Sequence, residues 1–353
     1  MERLRRLQGG LSARGWDALL VSRPEDVRYL SGARGGMVRL VVTPDDVLLL
    51  AHYVDLEESH LQAPYLPIRR TLTVSSIPEI AEHLKKRGVR TLAVDVEGMT
   101  HGHYQRLAQQ VREDGVELAP DDGIMRKMRW LKDEQKLARI RRATEINDLA
   151  YERIFPRLVP GVTERQIALE IQRAMWEAGA ESIRFLAAQF GEHSALPHYY
   201  PTDRPLRRGD FVLLDWVPVF EGYWSDVTRT VVAGEAGEQQ RAVYEVVKRA
   251  QAAGLAAAVP GATGHQADAA ARRVIEDAGY GDRFGHSLGH GINEGPNLDQ
   301  GSADVLEPGM VVTIEPGIYI SGWGGVRIED TVVITAEGAR PLSRTSKELM
   351  VLC

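Results

Sequence analysis

Phe211–Thr230 reads FVLLDWVPVFEGYWSDVTRT, and this stretch decides the fold of the larger part of the chain. Apolar and β-branched runs flank turn residues near Phe220-Glu221-Gly222, the pattern of a β-hairpin. Asp215 and Asp226 stand equally far from that turn, so strand pairing is expected to bring them opposite each other or nearly so. Directly paired residues have Cβ atoms roughly 4.5–5.5 Å apart. Two carboxylates that close, on strands otherwise patterned as core, repel unless a proton or cation lies between them. Taken alone, the stretch reads more simply as a hairpin with two exposed acids.

A second hairpin changes that reading. Val159-Pro160-Gly161-Val162-Thr163 recurs as Val259-Pro260-Gly261-Ala262-Thr263, and each opens a helical pattern. Thr163 with Gln166, and Thr263 with Gln266, fit capping boxes. Ala178-Gly179 and Ala278-Gly279 supply left-handed helix ends. The same offset of 100 residues carries Gly209 onto Gly309, Val212 onto Val312 and Asp215 onto Glu315. In MVVTIEPGIYISGWGGVRIEDTVVI, Glu315 and Glu329 are equidistant from Gly322 and can face each other across a hairpin. The repeat thus duplicates helices together with a two-carboxylate hairpin.

Four acids on two related hairpins form one cluster of negative charge if the halves pack together. Holding them without cations is costly. Four carboxylates suit two divalent ions, because paired metals about 3.5–4 Å apart can clamp attacking and leaving atoms in hydrolysis. Phe284–Ile292, FGHSLGHGI, offers a nitrogen ligand: His286 and His290 lie among glycines that permit close backbone approach. Oxygen ligands with one imidazole favour Mn²⁺, Fe²⁺ or Co²⁺, with Zn²⁺ also compatible.

Outward from this core, residues 1–120 alternate helical and strand patterns, a mixed α/β domain. Met1–Arg14 is amphipathic through Leu4, Leu7 and Leu11. Asp17–Ser22, Val38–Val42, Val47–Ala51 and Thr91–Val96 read as strands, and Ile77–Arg87 and His103–Arg112 as helices. His52, His60, His83, His101 and His103 have no partners at convincing ligand spacing. Pro120-Asp121-Asp122-Gly123 is turn chemistry, which sets the expected boundary between domains 1–122 and 123–353. Lys132–Leu158 follows as a long helix.

The chain has 353 residues, 44% hydrophobic and 26% charged, as in a globular protein of two domains. A net charge of −6 leaves no basic footprint for nucleic acid. No apolar run approaches the roughly 20 residues of a membrane span. The basic N-terminus has no apolar segment after it, so no signal peptide is expected. The single cysteine, Cys353, excludes a disulfide framework. A cytoplasmic protein is the simplest expectation.

The second domain resembles the pita-bread metallopeptidases: Xaa-Pro dipeptidases (prolidases), aminopeptidase P and methionine aminopeptidase. The likeness rests on SALPHYYPTDRPLRRGDFVLLDWV (194–217), EGYWSDVTRT (221–230), HSLGHGI (286–292), LEPGMVVTIEPGIYI (306–320) and GWGGVRIEDTVVIT (322–335). DALLVSRPEDVRYLSG (17–32) and MRWLKDEQKLARIRRA (128–143) resemble the proline-specific members. The resemblance implies the metal ligands Asp215, Asp226, His290, Glu315 and Glu329. Asp226 and Glu329 would bridge two ions; Asp215 would complete one, and His290 with Glu315 the other. It further implies attack of a bridging hydroxide on the scissile carbonyl, with Glu315 shuttling the proton. His198 and His286 fall where the family contacts substrate and stabilises the tetrahedral intermediate. Arg327 matches an arginine that props a metal-binding acid, and it is also a candidate substrate contact.

Two departures mark the substrate end. The family commonly reads G-H-G-I-G-L-E-V-H-E after the ligand histidine, whereas this chain reads Gly289-His290-Gly291-Ile292-Asn293-Glu294-Gly295-Pro296. Asn293 thus falls where a second substrate histidine is expected, and it is the candidate substrate contact there. An amide can donate a hydrogen bond but cannot carry a proton charge. The usual D-x-G of the first hairpin is Asp215-Trp216-Val217. The resemblance implies an Xaa-Pro dipeptidase taking small proline peptides, and a homodimer. An aminopeptidase P-like enzyme on longer peptides is the alternative, and an impaired pita-bread binding protein is a third reading.

Overall fold

The structure is a computed structural model that describes residues 2–352. Met1 and Cys353, both used in the sequence reading, lie outside the described residues. The chain divides into two compact units, Met1–Arg126 and Lys127–Cys353.

The first unit is α/β. Its six-stranded sheet has the order Ile68–Thr71, Val47–His52, Val38–Val42, Ala18–Val21, Thr91–Val94, Glu117–Pro120. The three strands Ala18–Val21, Val38–Val42 and Val47–His52 pair antiparallel, and the remaining pairs are parallel. The expected turn at Thr43–Asp46 links Val38–Val42 to Val47–His52, with Thr43 Oγ1 accepting from the Asp46 N–H at 3.0 Å. Helix Glu2–Ser12 buries Leu4, Leu7 and Leu11, and Ile77–Arg87 stops at Gly88 with φ 65°. Two helices of this unit escaped the sequence reading, as did Ile124–Trp130 and Glu238–Ala257 further along the chain. Pro24–Ser31 spans only eight residues, and Tyr53–Gln62 buries Ser59 alone. Neither presents a long apolar stripe to detect.

The second unit is α+β and carries the duplication. Helices Glu164–Glu177 and Gly264–Asp277 are both 14 residues long. Both open with complete capping boxes, Thr163 with Gln166 and Thr263 with Gln266. Gly179 and Gly279 follow them with φ 100° and 83°. Even the isolated bridges repeat: Thr163 pairs with Pro205, and Thr263 with Val305. The long helix spans Glu134–Ile154, shorter than read at both ends, because Asp133 caps its start and a 3₁₀ turn at Phe155–Arg157 tightens its end.

The first hairpin joins Phe211–Phe220 to Tyr223–Trp224 and Val227–Ala233. Its loop is Glu221-Gly222, with φ 47° and 80°, the paired positive values that a two-residue type I′ turn requires. That places the turn centre later than the spacing of the two aspartates suggests. Asp215 pairs with Thr228, and the register extended one step past Val227 puts Asp226 against Val217. The aspartates are therefore diagonal neighbours rather than directly opposed. In the second hairpin, Ile314 pairs with Asp330 and Gly317 with Arg327. One register fits both pairs, and it sets Glu315 against Glu329 as the spacing predicts. The ladder breaks between them, where Pro316 has no N–H to donate. Among the described residues no helix is long and apolar enough to cross a membrane.

Candidate metal centre

The two hairpins are stitched together through the backbone of their acids. The Asp226 N–H donates to Thr331 Oγ1 at 2.9 Å, and Thr331 Oγ1 donates back to the Asp226 carbonyl at 2.8 Å. The Glu329 N–H donates to the Thr228 carbonyl at 3.1 Å, and the Glu315 N–H to the Leu288 carbonyl at 2.8 Å. The histidine segment joins through Thr313, whose hydroxyl accepts from the His290 N–H at 3.0 Å. Asp226, Glu315 and Glu329 thus bond through their backbone to a different chain segment, while Asp215 stays in the ladder between Ala187 and Thr228.

These bonds gather the predicted ligands. His290 Nε2 lies 3.4 Å from Glu315 Oε1 and 3.9 Å from Asp226 Oδ2. One ligand atom each from Asp226, His290 and Glu329 lie within 4.8 Å of one another. Asp215, the diagonal neighbour of Asp226, is ion-paired with Arg327. Arg327 also donates to Thr228 Oγ1 at 3.0 Å and to the Tyr319 hydroxyl at 2.9 Å. Thr228 Oγ1 in turn donates to Glu329 Oε2 at 2.6 Å, and Thr313 Oγ1 donates to Glu315 Oε1 at 2.9 Å.

The residues fit divalent cations. Asp215 and Glu329 are buried, and each has one oxygen held by Arg327 or Thr228. Their other oxygens, Asp215 Oδ1 and Glu329 Oε1, are buried without a hydrogen-bond partner. A buried carboxylate oxygen left bare is expensive, and a cation between the acids satisfies both. Without one, burial together with the charges of Asp215 and Glu315 pushes Asp226 well above the ordinary carboxylate range. Burial and the charges of Asp226 and Glu315 push Glu329 well up likewise.

The remaining predicted residues fall into two groups. Arg327 is buried and faces Asp215, the propping position read from the sequence. His286 sits in the same network: its Nε2 meets the Tyr319 hydroxyl at 2.8 Å and its Nδ1 the Ser287 carbonyl at 2.8 Å. A carbonyl only accepts, so Nδ1 carries the proton and Nε2 accepts from Tyr319. Burial lowers the His286 pKa, which keeps the ring neutral. His198 lies apart, exposed, with its ring edge-on to Phe185 at 5.8 Å. Asn293 commits its amide to the first hairpin. Its Nδ2 donates to the Gly222 carbonyl at 3.0 Å, and its Oδ1 accepts from the Trp224 N–H at 2.9 Å.

The sequence reading missed Tyr319 and the threonines 228, 313 and 331. The threonines had a signal: each stands two residues from an acid, in Asp226-x-Thr228, Thr313-x-Glu315 and Glu329-x-Thr331. A period of two puts such neighbours on one strand face. Burial pushes the Tyr319 phenol up to about 12, so it stays a donor.

Comparison with known proteins agrees with this geometry. The profile described as Metallopeptidase family M24 matches residues 138–336, and that of the Creatinase/Prolidase N-terminal domain matches residues 3–131. An Xaa-Pro dipeptidase of Pyrococcus furiosus is 36% identical over 359 residues, covering 99% of each chain. The solved structure of an Xaa-Pro dipeptidase from Bacillus anthracis superposes with TM-score 0.93 at 34% identity, over 100% of this chain and 99% of that one. An X-Pro aminopeptidase from Thermotoga maritima superposes with TM-score 0.88 at 30% identity, over 96% and 98%. With a creatinase/prolidase-type N-terminal domain ahead of a duplicated pita-bread catalytic unit, the chain belongs to metallopeptidase family M24.

Proposed function

We propose that the chain is an Xaa-Pro dipeptidase using two divalent ions, manganese in preference to cobalt, iron or zinc. The observation that carries the reading is the pair of bare, buried oxygens on Asp215 and Glu329 beside Asp226, Glu315 and His290. In this reading Asp215, Asp226, His290, Glu315 and Glu329 would hold the ions. The ions, when bound, lower the pKa of water and polarise the scissile carbonyl. Glu315 carries the proton from attacking water to leaving nitrogen, and Thr313 orients it for that transfer. Arg327 ion-pairs with Asp215 and fixes its position, and Tyr319 fixes the ring of His286. His198 and His286 close on the substrate carbonyl, Arg327 backs the site, and Asn293 shapes its rim.

The dipeptidase preference draws on the full-length likeness to named Xaa-Pro dipeptidases. The likeness to the Thermotoga enzyme favours a second reading, an aminopeptidase P-like activity on longer Xaa-Pro peptides. Hydrolysis of Ala-Pro against Ala-Pro-Ala with added Mn²⁺ decides between them; preference for the tripeptide overturns the dipeptidase reading. Absence of hydrolysis of both leaves the impaired binding protein, which Asn293 motivates. We further propose a cytoplasmic homodimer and a domain boundary at 122/123, where Asp121 Oδ1 accepts from the Gly123 N–H at 3.1 Å.

A further inference from the structure

Strand Ser182–Phe190 is irregular opposite a residue at which the chain departs from its family. Ser182 and Ile183 pair with Val219 and Pro218, whereas Leu186 and Ala187 pair with Trp216 and Asp215. Arg184 and Phe185 therefore both stand against Val217, a two-against-one bulge. Bulges re-aim side chains and concentrate beside active sites.

Phe185 meets His198, and Arg184 is linked to His290 through Trp224. Phe185 sets its ring edge-on to His198 at 5.8 Å. Arg184 lays its guanidinium over Trp224, 5.1 Å from the ring centroid. Trp224 in turn packs on His290, with ring centroids 5.7 Å apart, and Asn293 pins its backbone. Trp224 and Asp226, two residues apart, face the same side of the hairpin. Arg184 is exposed, and among the described residues no carboxylate pairs with it. Residues 291–326 contain no lysine or arginine, and Arg327 is engaged by Asp215. A cation for the substrate must come from another wall of the site.

We propose that Arg184, steadied on the face of Trp224, is the specificity residue that binds a carboxylate of the peptide. The proposal rests on the peptidase reading above. Arginine presents a planar fork matched to a carboxylate, and stacking on an aromatic face leaves the edge of that fork free. An Xaa-Pro dipeptide ends in such a group, its carboxylate carbon about 3 Å from the scissile carbonyl carbon at the φ that proline fixes. The same chemistry is offered by an acidic side chain on the residue before proline. Val217 fits this arrangement, since its branched side chain stands against the bulge that directs Arg184 and Phe185.

The test compares wild type with Arg184→Ala and Arg184→Lys on Ala-Pro, Ala-Pro amide, Glu-Pro and Gln-Pro, with Mn²⁺. Arg184→Ala is expected to raise KM about tenfold for the carboxylate-bearing member of one pair, with kcat nearly unchanged and partial rescue by lysine. A selective loss on Ala-Pro relative to its amide assigns the terminal carboxylate. A selective loss on Glu-Pro relative to Gln-Pro assigns the side chain. Calorimetric titration of the same peptides into metal-free protein gives a readout independent of turnover. Carboxylate-selective weakening there, without hydrolysis by wild type, overturns the dipeptidase reading and keeps Arg184. Equal or no effect within both pairs, in kinetics and in binding, overturns the proposal.

Discussion

The acid end and the substrate end of the site are held in different ways. At the acid end three carboxylates have a side-chain partner and the fourth acid is held by its backbone. Arg327 holds Asp215, Thr228 holds Glu329, Thr313 holds Glu315, and Thr331 holds the backbone of Asp226. These partners sit on buried strands. At the substrate end His198 is exposed, Asn293 and Glu294 adopt φ 50° and 78°, and Arg184 and Phe185 share a bulge. Like charges at short range separate unless opposing bonds restrain them, so the acid end must be over-determined. The substrate end contains no such repulsion, and its residues can change without disturbing the acids. That is where Val217 and Asn293 depart from the family pattern.

Four experiments break or sharpen this contrast. Asp226→Asn is expected to cost more activity than the roughly 10–100-fold typical of losing a supporting partner of a metal ligand. The measurement is kcat/KM on Ala-Pro with saturating Mn²⁺; near-wild-type turnover would remove Asp226 from the centre. Arg327→Met leaves the Asp215 charge buried and unpaired, and is expected to cost about 3–5 kcal/mol in urea unfolding of the metal-free protein. Retained stability would mean that Asp215 is not restrained by the arginine.

Manganese at one hundred times its Kd adds about 2.7 kcal/mol per site. The gain should grow with pH. In metal-free protein Asp226 and Glu329 have folded-state pKa values above their unfolded ones. The stability they contribute is fully present below the ordinary carboxylate range near pH 4, and is lost as pH rises through the folded values. Melting of chelated protein between pH 5 and 8 should fall with pH, and Asp226→Asn should flatten the fall. A rise with pH would contradict the shared burial of the two acids. The smallest effect belongs to Asn293→Ala, about 1–2 kcal/mol from two hydrogen bonds to the hairpin. A loss in kcat/KM exceeding that in stability would instead give Asn293 a direct place at the substrate.

Much of the acid end was legible as spacing. The equal arms around Gly322 set Glu315 against Glu329, and the register through Ile314–Asp330 and Gly317–Arg327 bears this out. The first hairpin was less exact. Its turn chemistry was visible, yet the choice of Glu221-Gly222 as the two-residue loop shifted the aspartates to a diagonal. The threonine partners were present in the sequence at a spacing of two, but nothing local says that Thr228 serves Glu329 rather than Asp226. Tyr53–Gln62 was missed because a helix that buries Ser59 alone leaves little periodicity, and Pro24–Ser31 because eight residues are too few to display it.

By itself the sequence determined the duplicated unit, its capped helices and the set of acids, because these follow from local periodicity and turn chemistry. Only the tertiary structure decided which oxygens of those acids stay bare and which are held. It also decided that Asn293 closes on Trp224, and that a bulge turns Arg184 and Phe185 toward different neighbours. Such outcomes depend on contacts between segments up to about a hundred residues apart, and pairing over that separation carries no local signature in the chain.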